Sequence, residues 1–156
     1  MDKNYKEIIK KEYLRCAADP IYFLKKYSFI QHPIKGKIPF ALYDFQEKTL
    51  EQFSQNKLNV ILKARQLGIS TLTAGYSLWM MTFHQDKNVL VIATKQDTAK
   101  NLVTKVRVMH ANLPSWLKQK CVEDNKLSLR YKNGSQIKAV ASGEEAGRSE
   151  ALSLLI

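Results

Sequence analysis

Two apolar, β-branched runs, Leu58-Asn-Val-Ile-Leu-Lys63 and Asn88-Val-Leu-Val-Ile-Ala-Thr94, are each followed by a segment with helical spacing of its apolar residues. After the first, Leu72, Tyr76, Trp79, Met80 and Phe83 recur on one helical face between Ser70 and His84. After the second, Ala99, Leu102, Val103, Val106 and Met109 do the same. A further apolar strand, Ala151 to Ile156, ends the sequence. Buried strands joined by helical crossovers imply parallel pairing, because parallel neighbours need long connections that return right-handed. The alternation therefore predicts an α/β three-layer domain with a mostly parallel sheet and helices on both faces.

Around this frame, residues 2–17 carry Tyr5, Ile8, Ile9 and Leu14 among charges, an amphipathic helix pattern, and Asp19-Pro20 starts a second short helix through Phe23 and Tyr27. His32 to Phe40, with Pro33, Gly36 and Pro39, reads as an extended loop. The stripe Leu42, Phe45, Leu50 and Phe53 belongs to a helix ending near Asn56. Thr94-Lys-Gln-Asp97 resembles a capping box. Leu127 to Tyr131 pairs with Ser135 to Val140 through the hairpin turn Lys132-Asn133-Gly134. The division expected is a helical arm and loop over 1–40 and the core domain over 41–156.

Charge narrows the function classes. With 25 Lys+Arg against 14 Asp+Glu among 156 residues, the net charge is 25 − 14 = +11, a surface that attracts polyanions, nucleic acid first among them. Lys95, Lys100, Lys105 and Arg107 around one helix, with Lys118, Lys120, Lys126, Arg130 and Lys132 near the hairpin, are candidates for holding a phosphate backbone. The longest uncharged stretch, Leu67 to Phe83, is broken by Gly, Ser and Thr and falls short of the roughly 20 apolar residues a membrane span needs. The amino terminus has no secretory pattern, and Cys16 and Cys121 match neither a disulfide framework nor a zinc site, so a cytoplasmic protein with reduced thiols is expected. His32, His84 and His110 lack the spacing of metal ligands.

The segment that carries chemistry is Lys63-Ala64-Arg65-Gln66-Leu67-Gly68-Ile69-Ser70-Thr71, set between a strand pattern and a helix pattern. A loop so placed turns backbone N–H groups toward phosphates, and the positive end of the following helix reinforces the field. Gly68 suits close approach of phosphate oxygens, and Ser70 or Thr71 can offer a hydroxyl to Mg²⁺ at the first helical turn, Ser70 being the candidate metal ligand. The usual pattern has glycine where Lys63 stands and lysine where Ile69 stands. Lys63 and Arg65 are the cations near enough to replace the missing lysine, and the sequence leaves open which is the main phosphate contact.

The arrangement resembles the large terminase subunit of tailed bacteriophages, the ATP-driven motor that packages viral DNA, whose members often carry a deviant P-loop with its lysine at the front of the motif. In Pro39-Phe40-Ala-Leu-Tyr-Asp-Phe-Gln46, Gln46 is similar to the glutamine that reads adenine in that family. Thr94, Lys95 and Gln96 look like its helicase-like segment. Asn133-Gly-Ser135 through Ala146-Gly-Arg-Ser149 into ALSLLI is similar to the approach to its Walker B strand, and makes Arg148 a candidate for coupling nucleotide state to movement. The family pattern continues from that strand into Asp-Glu and later a nuclease domain. This sequence stops at Ile156, so a C-terminally truncated P-loop NTPase-like domain is expected, not fully active alone.

The resemblance implies ATP and Mg²⁺ as cofactors, and Lys63, Arg65 and Arg148 as catalytic candidates beside the nucleotide-binding segment 63–71 and Gln46. The implied partners are double-stranded DNA, a small terminase subunit and a portal protein, in a ring homo-oligomer in the host cytoplasm. Two other readings compete: a helicase-type nucleic-acid NTPase fragment, and a non-catalytic basic DNA-binding module whose P-loop has decayed.

Overall fold

A computed structural model describes residues 3–143 and 151–156. The chain is a mixed α/β fold whose main sheet has five strands in the order β4-β5-β6-β3-β7. The central strand β3 (Asn88–Ala93) pairs in parallel with β6 (Gln136–Ala141) on one side and β7 (Leu154–Leu155) on the other. β4 (Cys121–Asp124) and β5 (Ser128–Tyr131) extend the β6 edge in antiparallel fashion. The sheet is therefore half parallel and half antiparallel. Its antiparallel edge comes from the expected hairpin, in which Gly134 takes a φ of 84° that a side chain would oppose.

Among the described helices, α5 (Gln96–Ala111) makes the main contact with the sheet. It buries Leu102, Val103, Val106 and Met109 against strand residues of the same core, among them Val89, Val91, Leu129, Ile137 and Ala139. Its N-cap is Lys95 with no side-chain cap bond, so the capping box expected at Thr94 does not form. α4 (Ile69–Phe83) lies behind α5, against α2 (Pro20–Tyr27) and α3 (Asp44–Gln55). The other described helices stack on α5 or on one another, α4 on α5, α2 and α3 on α4, and α1 (Lys3–Ala18) on α2. β5 alternates, with Arg130 exposed between buried Leu129 and Tyr131, as in a strand that packs one face on the core.

α4 is buried nearly all round, from Leu72 to Leu78, because it has neighbours on several sides, so the single stripe expected from its sequence understates its burial. α1 differs in the opposite sense: Tyr5, Ile8 and Leu14, expected inside, are exposed, and Cys16 is the residue it buries. Phe23 and Leu24 of α2 and Phe40 sit in the same core cluster as the sheet residues, so the 1–40 region shares one core with the rest. The expected loop from His32 to Phe40 is instead the second half of a hairpin, β1 (Phe29–His32) with β2 (Gly36–Pro39), turned at Gly36 with a φ of 68°.

The largest departure lies at Leu58–Lys63. The composition of this run predicts a buried strand; instead it lies outside the sheet and in water, with Val60 and Leu62 fully exposed and Leu58 86% exposed. A β-branched apolar run becomes a strand only where a neighbour supplies backbone partners, and no strand among the described residues lies beside it.

Candidate functional site

The loop from Lys63 to Gly68 leads from that exposed segment into α4. Two consecutive features give it its shape: Gln66 has a φ of 64°, and Gly68, the N-cap of α4, has a φ of 71°. Two left-handed residues in three fold the backbone sharply without a side-chain cap. The Gly68 carbonyl accepts from the N–H of Thr71 at 3.0 Å and of Leu72 at 2.9 Å, closing the first turn. The N–H groups of Ile69 and Ser70 precede the helix's own acceptors and remain available, at the positive end of a 15-residue helix.

Lys63, Ala64, Arg65, Gln66 and Leu67 are exposed, Gly68 is half-buried, and Ser70 is exposed at the first turn. Ile69, which stands where a lysine is usual, is buried in the core cluster. The side chain there turns inward, so any cation for the loop must come from elsewhere. Lys63 and Arg65 are both on the loop and solvent-exposed; the Lys63 ammonium donates to the Ala64 carbonyl at 3.2 Å. The Arg65 guanidinium has no partner among the described residues. Arg148 lies outside the described residues.

Gln46 stands directly beneath the loop, 2% exposed. Its Oε1 accepts from the Tyr43 N–H at 3.1 Å and its Nε2 donates to the Leu67 carbonyl at 3.1 Å. A Cβ built on Gly68 would come within 2.7 Å of that Nε2. A side chain at position 68 is therefore opposed from the inner side of the loop, by the φ and by Gln46. Both residues stand out in the sequence but their contact does not, because they are 22 positions apart and brought together only by the packing of α3 beneath the loop.

A cavity of about 450 Å³ adjoins the same helix end, lined by Phe29, Ile30, Thr71, Asn101, Lys105 and Met109 among others. Thr71 therefore belongs both to the loop–helix junction and to this cavity. Of the basic residues suggested for nucleic acid, Lys95, Lys120, Lys126, Arg130 and Lys132 are exposed. Arg107 is committed, its Nε on Asp124 Oδ1 and its Nη2 on the Asn125 carbonyl. Lys118 donates to the Ala111 carbonyl at 2.7 Å.

Mg²⁺ needs oxygen ligands and keeps several waters. Ser70 can contribute one hydroxyl oxygen, which makes no hydrogen bond among the described residues, and these residues contain no group of three His, Cys, Asp or Glu able to hold a metal alone. Such a set fits an ion shared with a phosphate better than a resident metal centre. His110 is buried, its Nε2 2.9 Å from the Gln119 carbonyl, and burial holds its pKa below the usual value, which suits a packed neutral ring. No helix among the described residues is long and apolar enough to cross a membrane. No protein-family model matches the chain.

Proposed function

We propose that the chain is the ATP-binding part of a terminase large subunit, the motor that drives viral DNA into procapsids, acting in the host cytoplasm. The observation that carries this reading is the loop from Lys63 to Gly68, folded by two left-handed residues onto the amino end of α4 with its cations facing solvent. Backbone N–H groups at such a helix start bind phosphate, and Lys63 and Arg65 add the charge that Ile69 cannot. When bound, ATP supplies the phosphoanhydride whose cleavage powers movement. The residues of this chain would bind and orient it: Lys63 and Arg65 on the phosphates, Ser70 on Mg²⁺, Thr71 beside it.

The likeness to terminases in the segments around Gln46, Gly68 and Thr94 extends the proposal to the partners. These are duplex DNA held by exposed lysines, a small terminase subunit, a portal, and further copies of the chain in a ring. A helicase-type NTPase uses the same site. The buried Ile69 favours a third reading, a basic DNA-binding module that no longer binds nucleotide.

A titration with Mg·ATP separates these readings. Lys63→Ala is expected to weaken binding about tenfold or more, the scale of a lost charge-assisted contact, while Ile69→Ala changes affinity little beyond its effect on folding. An unchanged affinity in Lys63→Ala removes the displaced-lysine assignment, and no binding by the wild-type chain favours the decayed module. Duplex affinity should fall steeply with added salt in all three readings.

A further inference from the structure

We infer that Gln46 is a positioning residue that sets the direction of the Gly68 N–H, its amide serving the loop and not an incoming base. The inference rests on the phosphate-loop reading above and departs from the base-reading role that family resemblance gives this glutamine.

A primary amide buried this deeply needs partners, since an unpaired one is costly. Gln46 finds them on two elements: its oxygen takes the Tyr43 N–H at the start of α3, and its nitrogen holds the Leu67 carbonyl in the loop. Carbonyl and following N–H point in opposite directions across a trans peptide. Drawing the Leu67 carbonyl inward to the buried Gln46 therefore turns the Gly68 N–H the other way, away from that side chain. The left-handed φ of 71° at Gly68 and the 2.7 Å left between its missing Cβ and the Gln46 amide show that the two residues are fitted to each other. One N–H and one lone pair of the amide remain, but with the oxygen on α3, the nitrogen on the loop and the side chain 2% exposed, a base could reach them only by displacing the loop.

The experiment compares the full chain with Gln46→Ala, Gln46→Glu and Gly68→Ala, titrated with ATP, GTP and inorganic tripolyphosphate in the presence of Mg²⁺. Amide hydrogen exchange over residues 64–70 is followed in the free proteins. The expected result is that Gln46→Ala weakens all three ligands by one common factor, about tenfold, and speeds exchange in the loop while α3 stays protected. Gln46→Glu keeps the acceptor for Tyr43 but loses the donor to Leu67, and should weaken binding at least as much. Gly68→Ala, which displaces the amide, should act in the same direction.

A loss confined to ATP, with tripolyphosphate affinity intact, would make Gln46 a reader of the base and overturn the inference. Should the wild-type chain bind none of the three ligands, the phosphate-loop reading fails. Exchange then decides alone: faster exchange confined to 64–70 supports the positioning role, and unchanged exchange refutes it. If Gln46→Ala does not fold, Gln46→Glu and Gly68→Ala provide the same comparison.

Discussion

The indole Nε1 of Trp79 donates to the Cys16 carbonyl at 2.9 Å, tying the buried helix α4 to the last turn of α1. That carbonyl is among the terminal acceptors a helix cannot satisfy itself. Trp79→Phe keeps an aromatic ring beside Tyr76 and His84 but leaves the carbonyl without its donor. A loss of about 2 kcal/mol is expected from the unpaired group and the smaller ring. Urea unfolding followed by far-ultraviolet circular dichroism measures it, and a shift within about 0.5 kcal/mol, the scale of a neutral surface change, would show that the bond contributes nothing.

A second helix–helix tie titrates. Glu12 Oε1 accepts from Tyr22 at 2.6 Å, Tyr27 at 2.7 Å and Lys26 at 2.7 Å, joining α1 to α2. The Lys26 ammonium first, then the two hydroxyls, hold the Glu12 carboxyl down at about 2. A depressed carboxylate stabilises the fold above its unfolded pKa near 4.5, and the contribution disappears as pH falls through the folded value of about 2. Glu12→Gln should therefore cost about 1 kcal/mol at pH 7, discounted for the half-exposed lysine, with the difference from wild type shrinking between about pH 5 and pH 2. A pH-independent difference would assign the effect to packing instead.

Glycines 134 and 36 both have positive φ, but only one is crowded. A Cβ on Gly134 would meet Asp86 Oδ1 at 1.9 Å, whereas one on Gly36 would meet nothing within 4 Å. Gly36→Ala is expected to lose about 1 kcal/mol from backbone strain alone, and Gly134→Ala more, about 2–3 kcal/mol unless Asp86 swings away. Thermal unfolding of the pair tests the ordering; equal losses would mean that Asp86 yields at no cost.

Leu62 and Leu50 make the contrast between exposed run and core measurable. Leu62 is fully exposed and Leu50 fully buried. Leu62→Asp should alter stability by less than about 0.5 kcal/mol, while Leu50→Ala should lose about 2–5 kcal/mol. A large loss on changing Leu62 would mean that the 58–63 run is packed in solution.

These contrasts mark what the sequence makes legible. β3, α5, the β5–β6 hairpin and α2 with its Asp19 cap all form where periodicity and turn residues place them, because each is specified by residues close in the chain. The fate of Leu58–Lys63 is not local: its composition says strand, but pairing depends on a neighbour elsewhere. The same holds for α1, whose exposed Ile8 and Leu14 satisfy an amphipathic pattern that no described residue covers. At the candidate site the loop was readable from Gly68 and its cations. The inner contact of Gln46 was not, since a buried amide's partners are set by tertiary packing rather than spacing.

Leu24 occupies the notch left by the absent side chain of Gly75, its Cδ2 only 2.7 Å from where a Cβ would stand. α2 is thereby keyed into α4, six residues beyond Ile69 at the head of that helix. Any side chain at position 75 would have to displace Leu24 or part the two helices, so the spacing of α2 from α4 is set by a hydrogen atom.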